Sequence, residues 1–119
     1  MDPIFLLSLP LVVLLAVKFR AFKAFDELME KVHVHHRDRW DQLGRPIGYF
    51  WRPDDGSVET VQGMAARMPL TRGWLFTDPA WMPDDSPARL SLATWRVTTF
   101  LSWGGFLLVA GLAAAAAFS

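Results

Sequence analysis

Two apolar runs bracket the chain. From Ile4 to Val17 the sequence reads IFLLSLPLVVLLAV, relieved only by the hydroxyl of Ser8 and the ring of Pro10, and from Val97 to Phe118 twenty-two residues pass without a charge. As a helix the second run reaches about 33 Å, enough to cross a hydrocarbon layer of about 30 Å with little tilt. The first reaches only about 21 Å unaided. The rest is supplied if Lys18 and Arg20 snorkel while Phe19, Ala21 and Phe22 stay in the acyl layer. Asp2 is placed as an N-cap with Pro3 at the first helical position, and Pro10 should bend the helix within the bilayer. Ser86 and Pro87 open the second helix in the same way, so that a foot from Ala88 to Arg96 stands outside the lipid. A cleaved leader fits poorly, because an acid precedes the first run and Lys18, Phe19 and Arg20 follow it.

Between the runs the period stays helical at first. Phe22, Phe25, Met29 and Val32 recur at three and four residues, with Asp26, Glu27, Glu30 and Lys31 on the other face. This helix is expected to run to Leu43, where Gly44 offers a left-handed cap and Pro46 forbids continuation. Pro53-Asp54-Asp55-Gly56 reads as a turn. Ser57 then offers an N-cap to a short helix with an apolar stripe of Val58, Val61, Ala65 and Met68, broken by Gly63 and ended by Pro69. The stretch TRGWLFTDPAWMPDDSP, from Thr71 to Pro87, should be irregular but ordered, since disordered segments avoid aromatics. The pattern therefore predicts a mainly α integral membrane protein with two long transmembrane helices, one short amphipathic helix and a Pro/Trp-rich loop. Residues 1–43 form an N-terminal helix that continues out of the membrane, 44–86 an elbow, and 87–119 a C-terminal helix with its span at 97–118.

Composition changes the picture through the placement of charge. Twelve Lys and Arg balance twelve Asp and Glu, but every base lies between Lys18 and Arg96, and Asp2 is the only acid outside that segment. Lys18, Arg20 and Lys23 follow the first span, and Arg89 and Arg96 precede the second. The positive flanks predict a cytoplasmic location for residues 18–96 and periplasmic termini in a bacterial inner membrane. Neutral net charge argues against nucleic-acid binding. The absence of cysteine excludes disulfides, thiolate metal sites and a cysteine nucleophile.

Candidate chemistry is sparse. His33 and His36 can share a helical face with Asp38 and Asp41 nearby, the outline of a metal site, but His36 to Asp38 is the wrong spacing for that face and a site needs at least three convergent donors. Neither span carries a histidine for haem or an ionisable group for a transport path. Asp54-Asp55 and Asp84-Asp85 read as turn residues, with no nucleophile and base assembled around them, so no enzyme and no cofactor is expected. Lys18, Arg20, Trp95 and Arg96 are candidate interfacial anchors. Gly104, Gly111 and Ala115 form a small-residue stripe suited to close helix packing, either on the first span or on a partner. Trp74, Phe76 and Trp81 are candidates for partner contact outside the bilayer, and a pigment or lipid could fill the same role.

The segment Trp40-Asp41-Gln42-Leu43-Gly44-Arg45-Pro46, preceded by His35 and His36, resembles small two-span inner-membrane proteins of the universal stress protein B type. The resemblance implies the same layout over the whole chain, while its motif stops short of Ile47 to Arg89. That family has no defined biochemical activity, so no catalytic residue carries over. The expected function is that of a non-enzymatic accessory or structural subunit of a larger membrane complex, of respiratory or photosynthetic type. The alternative is a free-standing stress or envelope protein binding a metal or cytoplasmic ligand through the His33–His36 cluster.

Overall fold

A computed structural model describes residues 3–54, 56 and 58–118, with side chains from Phe5 onward. The caps expected of Asp2 and Ser57, and one carboxylate of the Asp54-Asp55 turn, lie outside the described residues. Four helices follow one another: α1 (Pro3–His35), α2 (Arg37–Gln42), α3 (Thr60–Gly73) and α4 (Pro87–Ala117), with no strand among the described residues. The fold is mainly α, and α1 and α4 are both long and apolar enough to cross a membrane.

The two long helices form an antiparallel hairpin. Leu14 meets Gly105, Lys18 meets Trp103, Phe25 meets Trp95, Lys31 meets Ser91, and His36 meets Ser86. One register therefore holds from the outer half of the spans to the far end of the hairpin. Its packed core lies toward the connecting head. There Ala21, Ala24, Phe25, Leu28, Met29 and Val32 are buried at helical spacing against Ala88, Ser91, Leu92, Trp95, Thr99 and Ser102. Alanines and serines let the backbones approach, and the large rings of Phe25 and Trp95, 5.3 Å apart, fill the gap. Toward the termini the pair becomes thin and side chains such as Leu9, Val12 and Leu107 are exposed, as a lipid-facing segment requires. The hydroxyl of Ser8 is satisfied within its own helix by donating to Phe5 O at 2.6 Å.

Three local features differ from the sequence pattern. The first helix does not continue to Leu43: it breaks at His36 (φ −135°, ψ 52°), and α2 resumes at Arg37. His36 shares a hydrogen bond of 2.7 Å with the Ser86 hydroxyl and packs edge-on against Trp81, which ties the break to the start of α4. The short helix α3 is capped by Glu59, whose carboxylate accepts from Val61 N and Gln62 N, and it runs through both Gly63 and Pro69. Gly63 is a contact point, not a break. A Cβ there would stand 2.8 Å from Ile47 and 2.9 Å from Val58. The buried face of α3 thus carries Gly63 and Leu70, while Val61, Ala65 and Met68 of the expected stripe point outward together with Met64.

The end of α2 closes as its sequence predicts. Gly44 takes φ 89°, its N–H donates to Asp41 O, and Arg45 N–H donates to Trp40 O, the paired bonds of a Schellman cap. Trp40 folds back, fully buried, and donates Nε1–H to Pro46 O at 2.9 Å. Ser86 caps α4 by accepting from Ala88 N at 3.3 Å.

Candidate functional site

The connecting head is held on the hairpin by two carboxylates. Asp26, nearly buried, projects from α1 into the loop after Pro46, where its carboxylate accepts from three successive backbone amides: Tyr49 N at 2.5 Å, Phe50 N at 2.9 Å and Trp51 N at 3.1 Å. Successive N–H groups converging on an anion make a nest. Gly48 is required beside it, because a Cβ at that position would run into the Asp26 side chain. Arg67 of α3 closes the other side, donating to Gly48 O at 2.7 Å and lying 4.2 Å over the Tyr49 ring. Burial pushes the Tyr49 phenol above its usual range, against the opposing pull of the Arg67 guanidinium.

The second carboxylate is Asp78. Arg96 donates to it at 2.6 Å and Arg89 at 3.1 Å, two turns apart on α4. The hydrogen bond from Arg96, followed by the charges of Arg96 and Arg89, holds its carboxyl below the usual range. Arg96 also donates to Trp74 O at 2.6 Å and Arg89 to Met82 O at 2.6 Å, so the Pro/Trp-rich loop is clamped along its length.

This placement separates the aromatic candidates. Trp74 is buried in the protein's own core, and Trp81 is half-buried against it and His36. Phe76 is 78% exposed and packs edge-on against Phe100 of the second span. Phe50, on the opposite loop, pairs with Phe19 at 5.6 Å, the two rings tilted by 43°. Both loops thus bring a phenylalanine back to the level where the spans begin.

The candidate anchors also divide. Trp95 lies in the hairpin core at 3% exposed, and Arg96 serves the loop clamp. Arg20 pairs with Glu27 at 3.8 Å in an exposed ion pair. Lys18 is placed between two rings, its ammonium 4.8 Å from the centroid of Trp103 and 5.3 Å from that of Phe22. Trp103 is 57% exposed, so this cation–ring pair lies at the surface of the hairpin.

The histidines do not converge. His33 packs against Trp40 and Trp51, His36 bonds to Ser86, and His35 is exposed. Among the described residues no three His, Cys, Asp or Glu are grouped to hold a metal ion.

On α4 the small residues are sorted by the hairpin. Gly105 takes the intramolecular contact, since a Cβ there would overlap Leu14. Gly104 and Gly111 have nothing within 4 Å of the corresponding position, and Ala115 is exposed. The contact glycine, the Asp26 nest and the Asp78 clamp were not singled out by the sequence pattern. The adjacent pair Gly104-Gly105 and the Gly48-Tyr49 step were the only signals for the first two.

These features define a two-span helical-hairpin membrane protein with a small, rigidly tethered head. No protein-family model matches the chain, and no curated protein or solved structure does so either.

Proposed function

We propose that the protein is a non-enzymatic subunit that docks on a larger bacterial inner-membrane complex through the second span, with its head on the cytoplasmic side. The observation that carries this reading is the open glycine face of α4. A Cβ at Gly104 or Gly111 would meet nothing within 4 Å among the described residues, although one at Gly105, next to Gly104, would overlap Leu14 of the first span. Apolar side chains gain nothing by leaving lipid for one another, so association in a membrane rests on close packing, and exposed glycines allow the closest approach. The outward row of Val61, Met64 and Met68 on α3 supports the same reading, because it sets an exposed apolar strip outside the spans, uncovered by the described residues. The positive flanks at Lys18, Arg20, Lys23, Arg89 and Arg96 support the cytoplasmic placement of the head. Kinship with the universal stress protein B type belongs to the same proposal. Its shared residues Trp40, Leu43, Gly44 and Pro46 are ones this chain uses to close α2.

Extraction in mild detergent, followed by sizing and mass spectrometry, tests the proposal. The intact protein is expected to run with a stoichiometric integral-membrane partner, and Gly111→Leu, which disturbs no contact within the chain, is expected to release it. A well-folded monomer without a partner, unchanged by Gly111→Leu, would sink the reading.

A further inference from the structure

A cavity of about 220 Å³, partly open to the outside, lies where the two spans meet the head. Lys18, Phe22, Tyr49, Thr71, Thr99 and Trp103 contribute to its wall. Two of its polar residues lack a polar partner among the described residues. Lys18 faces aromatic rings on both sides and forms none of the ion pairs among the described residues. Thr99 is 5% exposed, and its buried hydroxyl has no hydrogen-bond partner among the described residues.

That hydroxyl is unusual for its surroundings. Thr94 donates to Leu90 O, Thr98 to Thr94 O, and Ser102 to Thr99 O, so the neighbouring hydroxyls of α4 are satisfied by their own helix. Thr71, across the cavity, donates to Met68 O. A buried hydroxyl left unpaired is costly, and native structures rarely leave one without a protein, water or ligand partner. Here Thr99 belongs to the wall of a cavity that Lys18 also lines. The complement of a cation and a hydroxyl donor is an anion with several acceptor oxygens.

The position narrows the source. Lys18 and Trp103 mark the edge of the apolar spans, the depth at which lipid headgroups meet the acyl layer, and the rings of Phe22 and Trp103 offer apolar surface beside the charge. Lys18 is in none of the ion pairs among the described residues, and its charge favours an anionic over a zwitterionic headgroup. We propose that this cavity holds the phosphoryl group of an anionic phospholipid, with the Lys18 ammonium as its counter-charge and the Thr99 hydroxyl as a hydrogen-bond donor.

The test is native mass spectrometry of the full chain. It is released from mixed micelles containing equal amounts of phosphatidylglycerol and phosphatidylcholine, with and without added inorganic phosphate. The wild-type protein is expected to retain phosphatidylglycerol several-fold more than phosphatidylcholine. Thr99→Val, which keeps the shape and removes the hydroxyl, is expected to weaken that retention about ten- to hundredfold, the range for losing one hydrogen bond to a charged group. Thr98→Val, altering a hydroxyl that already bonds within its helix, is expected to leave it unchanged. Lys18→Gln supplies an independent variant should Thr99→Val fail to fold, and it is expected to abolish the preference while Arg20 and Lys23 remain. Equal retention of the two lipids by wild type would overturn the proposal, as would an unchanged preference in the folded variants. Displacement of phosphatidylglycerol by an equal concentration of inorganic phosphate would overturn the lipid as the source.

Discussion

Asp26 shows how far a single side chain can organise this protein. Its sequence position, among Asp26, Glu27, Glu30 and Lys31, suggested an ordinary solvated face, yet its carboxylate accepts from three amides more than twenty residues away. No local pattern announces such a nest, because its partners are backbone groups and carry no residue code. The one sequence trace is Gly48, whose missing Cβ makes room for the carboxylate. Asp26→Asn keeps the volume but sets an NH2 group against an array of donors. The cost should be about 2–3 kcal/mol, from losing charge-assisted bonds, and faster hydrogen exchange at Tyr49 to Trp51 would report it. Asp78 gives a pH-dependent counterpart. Its carboxyl is held below the usual range by Arg96 and Arg89, so its contribution is complete above the unfolded value of about 3.9 and is lost as pH falls through the lower folded value. Trp74 and Trp81 fluorescence should therefore stay constant from neutral to mildly acidic pH and change below about pH 4. In Asp78→Asn that acid step should disappear.

At the scale of elements, the helices were legible where their ends are written locally. Gly44 and Pro46 close α2, and Ser86 with Pro87 opens α4, because capping depends on residue types at fixed offsets. Gly44→Ala should cost about 1 kcal/mol, since φ 89° penalises a side chain and the new Cβ would sit 3.2 Å from that of Ala66, and thermal unfolding in detergent measures it. The break at His36 and the orientation of α3 were not legible, because both are set by contacts with other elements. His36 is drawn to Ser86, fifty residues on, and α3 turns its Gly63 face inward so that Ile47 and Val58 can approach. Its apolar row of Val61, Ala65 and Met68 satisfied the periodicity but faces outward. Hydrophobic spacing identifies a face without saying which neighbour will cover it. The glycines of α4 make the same distinction testable. Gly105→Ala should force Leu14 aside and lower the melting temperature of the isolated hairpin, whereas Gly111→Ala should leave it within the scatter of wild type.

The whole molecule extends 56 × 29 × 19 Å, and its stability is unevenly placed along that length. The head half is cross-linked by the Asp26 nest, the Asp78 clamp and a continuous apolar core, while the outer half is two helices touching through a narrow seam. Such a molecule needs a surrounding for its outer half, whether lipid or another protein. The two-span layout was readable from the distribution of charge, since uncharged runs and positive flanks answer to the bilayer alone. The candidate sites were only partly readable, because Trp74 and Trp95 have the composition of contact residues and are used internally. The docking of α4 on a partner is therefore best tested in native membranes with a photoreactive residue in place of Gly111. A docked subunit predicts one discrete cross-link to a different integral-membrane chain, while the same probe at Gly105 gives only the internal link to α1. Adducts with lipid alone, or only with a second copy of this chain, would contradict it.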